Sequence, residues 1–143
     1  MKKGKTIENL AELDLDWFMV LGKSIIHAAS GGREIPYTSK DIVDDIVEKF
    51  ISLPDINRSD EIEINLAYIN KVVGTNAGRV CNYIRTFADW AKKGFISYDI
   101  VGDPDNTYIW IARPKHKIDI SKLPDNIIKR DGDRDFYETF NIG

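Results

Sequence analysis

The chain of 143 residues carries 43% apolar and 30% charged side chains and a net charge of −3, a balance that suits one folded domain and excludes a disordered chain. No apolar run approaches the roughly 20 residues that a membrane helix needs, so no membrane partner is expected. One cysteine, Cys81, and two histidines exclude an internal disulfide and a Cys/His zinc cage, and neither a metal nor another cofactor is expected.

Polar Glu8, Asn9 and Glu12 stand where a signal peptide would be apolar, so the expected compartment is cytoplasmic. The charge is unevenly spread. Residues 1–64 carry 8 Lys+Arg against 13 Asp+Glu, residues 65–117 carry 8 against 4, and residues 118–143 carry 4 against 6. A cationic middle between anionic ends points to an anionic partner for the middle.

The first helix signal runs from Asp16 to Ala29, with Phe18, Leu21, Ile25 and Ala28 at helical spacing and Ser30-Gly31-Gly32 as its stop. A second helix is predicted from Thr38, with Asp41 three residues on as a loose capping box. Its apolar stripe is Ile42, Val43, Ile46, Val47, Phe50 and Ile51, and Pro54 ends it. Glu61-Ile62-Glu63-Ile64 alternates as a very short strand. Leu66, Ile69, Val72 and Val73 mark a third helix that Gly74 terminates. After Thr75-Asn76, a longer helix is expected from about Ala77 to Lys93. The period then changes from 3.6 to 2. Residues 95–101 and 107–112 read as a hairpin around Gly102-Asp103-Pro104-Asp105-Asn106. Beyond Arg113-Pro114 the pattern weakens to a charged tail with Phe136, Tyr137 and Phe140.

Two stretches carry a resemblance. One is 66–84, where a short helix, Gly74, a polar turn and a longer helix follow in order. The other is Phe87-Ala88-Asp89-Trp90-Ala91-Lys92-Lys93-Gly94-Phe95-Ile96, where basic residues and a glycine close a helix before an apolar strand. With the hairpin, residues 38–113 resemble the winged helix-turn-helix family. The resemblance implies a mainly α fold with a small β-hairpin. It divides the chain into a helical extension at 1–37, a winged domain at 38–113 and a tail at 114–143. It also implies a sequence-specific reader of double-stranded DNA, a transcriptional regulator rather than an enzyme, whose recognition helix is 77–93. Asp103 and Asp105 depart from the family, since an acidic wing tip repels phosphate.

A helical projection places Val80, Ile84, Phe87, Ala88 and Ala91 on the buried side of that helix. Gly78, Asn82, Arg85, Thr86, Asp89 and Lys93 face outward, with Arg79 at the edge. Arginine forks match guanine or phosphate, asparagine pairs with adenine, and threonine meets either a polar edge or a thymine methyl. Asn76 at the helix start, Lys115 and Lys117 complete the expected DNA-binding set. Operators are read by two-fold dimers, and Trp17, Phe18, Val20, Phe136, Tyr137 and Phe140 offer surface for a homodimer. Two alternatives remain open. One is a protein-binding winged-helix adaptor, using Tyr83, Trp90 and Tyr98 as exposed aromatics. The other is a DNA-binding part of a viral or plasmid replication or packaging machine.

Catalytic and metal signals are weak. His27 reads as a partly buried structural residue of the first helix, His116 sits in a basic run, and Cys81 reads as a small core residue. Gly74 to Arg79 lacks the Gly-Lys-Ser/Thr ending of a phosphate loop. Asp41, Asp44, Asp45 and Glu48 form a solvated helix face rather than a cation site.

Overall fold

The computed structural model describes residues 15–102, 106–119, 121 and 123–142. Asp103 and Asp105 lie outside them. Strands β1 (Asp16–Leu21) and β2 (Ser24–Ala29) come first, then helix α1 (Lys40–Ile51). A 3-10 turn (Ser59–Glu61) leads into β3 (Ile62–Ile64), α2 (Leu66–Val72) and α3 (Ala77–Lys92). The chain ends with β4 (Ile96–Gly102), β5 (Thr107–Pro114), β6 (Ile128–Arg130) and β7 (Thr139–Asn141). The strands form one mixed sheet in the order β3-β5-β4-β2-β1-β6, and β7 pairs with β5. β2 runs parallel to β4 and β6 parallel to β1, while the other pairs are antiparallel.

The mainly α winged helix-turn-helix expectation is therefore corrected. The described residues form an α/β fold, with three α-helices on a seven-stranded mixed sheet. The largest error is the first helix. Residues 16–29 are a two-stranded hairpin, with Leu21 paired to Ser24 across Gly22-Lys23. Gly22 holds φ +63 and Lys23 does not share that sign, the pattern of a type II′ turn with glycine first. β1 and β2 lie inside the sheet and are buried almost end to end. Such strands read as continuous apolar runs, which periodicity cannot tell from a buried helix.

The tail also joins the sheet. β6 extends β1, and Thr107 to Ile109 of β5 pair with β7. Strands from all three sequence segments thus share one sheet. Neighbouring residues on a strand point to opposite faces, so Trp17 and Phe18 divide the core between them. Phe18 meets Phe50 of α1 and Trp90 of α3, which places both helices on one face. Trp17 meets Tyr37, Tyr108 and Phe140 on the other. Trp17, Phe18, Val20 and Phe140 are buried, and Phe136 and Tyr137 pack half-buried against the same core, so these aromatics cover the chain's own interior.

Two outcomes test this packing. A Cβ on Gly22 would lie 2.5 Å from the Arg134 carbonyl oxygen, in addition to the left-handed backbone. Gly22→Ala is expected to cost at least about 1–2 kcal/mol in urea unfolding. Burial raises the pKa values of Tyr37, Tyr68, Tyr83, Tyr98 and Tyr108, the last up to about 12. Above pH 10 the unfolded phenols lose protons that the fold retains, so stability falls as pH rises from 10 towards 12. Absorbance at 295 nm should show Tyr83, Tyr98 and Tyr108 protonated at pH 11 in the native protein and ionised once urea is added.

Candidate nucleic-acid interface

Two asparagines build the local frame. Asn65 caps α2 by accepting from the Tyr68 amide, and Asn76 caps α3 by accepting from the Arg79 amide at 3.0 Å. Between the helices Gly74 holds φ +104, the left-handed residue just past the α2 C-cap Val73. α3 then runs for 16 residues, roughly 24 Å. Ile69 of α2 is buried with Phe87 and Ala91 of α3 and Ile111 and Ala112 of β5, so this helix pair sits on the β5 side of the sheet.

The exposed half of α3 is its N-terminal half. Asn76, Gly78, Arg79, Asn82, Arg85 and Thr86 are all exposed. Among the described residues neither Arg79 nor Arg85 forms an ion pair. The Arg85 guanidinium donates from Nη2 to Asn82 Oδ1 at 3.2 Å, so these two side chains lie together. Residues 66–93 carry five Lys and Arg against one acid, Asp89. Thr86 stands apart on a flank of the helix, where with Asp16, Asp99 and Tyr83 it lines a cavity of about 310 Å³. The Tyr83 hydroxyl donates to Asp99, and burial together with that carboxylate pushes the Tyr83 phenol well above its ordinary pKa. That flank is acidic and does not suit a phosphate.

The remaining cations lie elsewhere. Lys93 sits at the opposite end of α3, roughly 21 Å from Arg79 along the axis, where its ammonium donates to the Leu53 carbonyl. Lys117 donates to Ser24 Oγ at 3.1 Å and pairs with Asp135 at 3.5 Å. Lys115 shares a pocket with Glu61, Glu63 and Arg113. The structure therefore gathers Asn76, Gly78, Arg79, Asn82 and Arg85 on one end of α3. It separates Lys93, Lys115 and Lys117 from them.

A hydrogen-bonded row beneath α3 was invisible while residues 16–29 read as a helix. His27 of β2 lies in register with Phe18 of β1 and Ser97 of β4. Its Nε2 is 2.7 Å from Asp16 Oδ1 and its Nδ1 2.5 Å from Ser97 Oγ. A carboxylate only accepts, so in the neutral imidazole Nε2 donates to Asp16 and Nδ1 accepts from the serine hydroxyl. The sequence Asp–His–Ser matches a hydrolytic triad in chemistry but not in exposure. Ser97 and His27 are 0% exposed, whereas the Asp16 side chain is 41% exposed. A nucleophilic hydroxyl must reach substrate while the carboxylate stays behind the imidazole. Here the order is inverted, and the row holds strands and helix together.

Other expectations are corrected by burial. His27 is a fully buried strand residue, and Cys81 is exposed rather than in the core. Of the aromatics expected to be exposed for an adaptor surface, Trp90 and Tyr98 are buried and Tyr83 is half-buried. Asp44 and Asp45 on α1 pair with Lys40 and Lys49, and among the described residues no group of three or more His, Cys, Asp or Glu is placed to hold a metal. No helix among those residues is long and apolar enough to cross a membrane.

No protein-family model, curated protein or solved structure matches this chain.

Ser97→Ala would strand the His27 Nδ1 lone pair in an apolar setting. The expected cost is about 1–3 kcal/mol in thermal or urea unfolding, and unchanged stability would remove the row's structural role.

Proposed function

We propose that this chain binds double-stranded DNA through the N-terminal half of α3, as a non-enzymatic regulator acting in the cytoplasm. The observation that carries the reading is the pair of exposed guanidiniums, Arg79 and Arg85, that have no carboxylate partner among the described residues and stand beside Asn82 on a helix whose first turns are exposed. A major groove about 12 Å wide admits such a helix. Arg79 lies in the first turn, where backbone amides and the helix dipole favour an anion, and it takes a phosphate. Asn82 and Arg85 lie a turn further in and take base edges. The hydrogen bond between them orients both side chains before contact, which reduces the entropy lost on binding. One helix covers few base pairs, so the proposal includes two copies of the chain on a two-fold site.

Selection of a preferred site from random duplexes, followed by titration at several salt concentrations, tests the reading. Arg85→Ala should cost about 1–3 kcal/mol on the preferred site and relax discrimination there. Arg79→Ala should weaken preferred and random DNA alike and flatten the log–log salt slope by about one unit. Sedimentation of the complex should give two chains per site. A double Arg79→Ala, Arg85→Ala variant that binds both DNAs as tightly as wild type would overturn the assignment of α3.

A further inference from the structure

The C-terminal end of α3 borders a cleft of about 640 Å³ between the end of α1 and residues 117–119 and 123–125. That volume falls within the roughly 300–1,000 Å³ of small-molecule sites. Its walls are largely apolar, from Phe50, Leu53, Ile56, Ile118 and Leu123. Ile56 is left 43% exposed beside it. Three ammonium groups, from Lys49, Lys93 and Lys117, stand around this apolar surface, opposed by Asp119 and Asp125. Lys93 is the most enclosed of the three, with 17% of its side chain exposed. It donates to the Leu53 carbonyl, and its carboxylate partner, Asp55, is 3.8 Å away, beyond hydrogen-bond distance. An ammonium has three donors, so this one keeps capacity for an acid.

We propose that this cleft binds a small apolar carboxylic acid, its carboxylate on Lys93 and its hydrocarbon on Phe50, Leu53 and Leu123, and that occupancy is transmitted to α3. The transmission follows from the walls. Ile56 and Asn57 both donate their amides to the Lys92 carbonyl, at 2.8 and 2.9 Å. The Asn57 side chain donates to the Ala91 carbonyl at 3.3 Å and to the His116 carbonyl at 2.8 Å. On the other wall, the Ile118 amide donates to the Gly94 carbonyl at 3.1 Å. One wall of the cleft thus holds the last carbonyls of α3, and the other holds Gly94, two residues beyond the helix. The binding site stands on the cleft's own geometry, and only its consequence for DNA rests on the reading of α3 above.

Calorimetric titration of the full chain with decanoate, below its micelle-forming concentration, tests the site, with decanol and decylamine as neutral and cationic counterparts. Decanoate should bind once per chain, about fourfold more weakly for each methylene removed. Decanol and decylamine should bind about tenfold more weakly or worse. Lys93→Gln should erase the preference for decanoate over decanol, and Leu123→Trp should fill the cleft and abolish binding of both, with circular dichroism confirming the fold. Equal affinity for decanoate and decanol in the wild-type chain, or undiminished binding by a folded Leu123→Trp variant, would overturn the site. If decanoate binds but leaves the wild-type DNA affinity unchanged, the transmission to α3 is overturned while the site stands. If the chain binds no DNA, the reading of α3 fails, and the calorimetry still decides the site.

Discussion

The structure turns on one buried imidazole. His27 stacks on Trp90 at 5.3 Å and lies 6.1 Å from Phe87, and those two rings belong to different apolar clusters. The larger cluster joins α1 to the strands, and the smaller joins α2 and α3 to β5. His27 sits at their joint. An imidazole there is costly unless both nitrogens are satisfied, and Asp16 and Ser97 satisfy them from the neighbouring strands. The hydrogen bonds are directional where the rings are not. The row therefore fixes the register of β1, β2 and β4 and the seat of α3 at once, which apolar contact alone would leave free to slide.

How much of this was legible in the sequence depended on the range of the forces involved. α1, α2, α3 and the β4–β5 hairpin obey local rules: amphipathic spacing, asparagine caps, Gly74 and a change of period. Each appears close to where those rules put it. Residues 16–29 obey a different rule, because β1 and β2 have neighbours on both sides and bury both faces. The one local sign was Gly22-Lys23, a two-residue turn flanked by apolar runs of equal length. β6 and β7 are three residues each and mostly polar, and only pairing to distant β1 and β5 makes them strands. The exposed residues of α3 followed from a projection that needs nothing beyond helix geometry. Trp90 and Cys81 did not, since their burial depends on what lies beneath each flank. The His27 row was out of reach, because it joins residues that meet only once the strands are paired.

Electrostatics then divides the α3 surface more finely than composition does. The helix pair is cationic, but Asp16 and Asp99 line a cavity against the Thr86 flank, and Tyr83 is tied to Asp99. Positive potential is left at the free end, where among the described residues Arg79 and Arg85 form no ion pair. Lys93 and Lys117 add to the charge total but not to that end, because a carbonyl and carboxylates hold them elsewhere, and Lys115 lies beside Glu61 and Glu63. A cationic segment in sequence thus becomes a short cationic tip in space.

The helix itself joins the two ends. Its last turn is held by Trp90 on His27 and by the amides of Ile56 and Asn57 on Lys92, and the residue just beyond it, Gly94, is held by Ile118. Gly94 permits that close approach, with φ +107 and a backbone nitrogen 2.5 Å from where a Cβ would sit. Among the described residues the first turns are held by the Asn76 cap, by half-buried Val80, Tyr83 and Ile84, and by the Tyr83 hydroxyl on Asp99. An intact α-helix resists bending over four turns, so it moves as a rod. A small rotation at the clamped end becomes a larger displacement at the free end, in proportion to the distance from the joint. The arginines stand roughly 12–21 Å from that end, where the lever is longest.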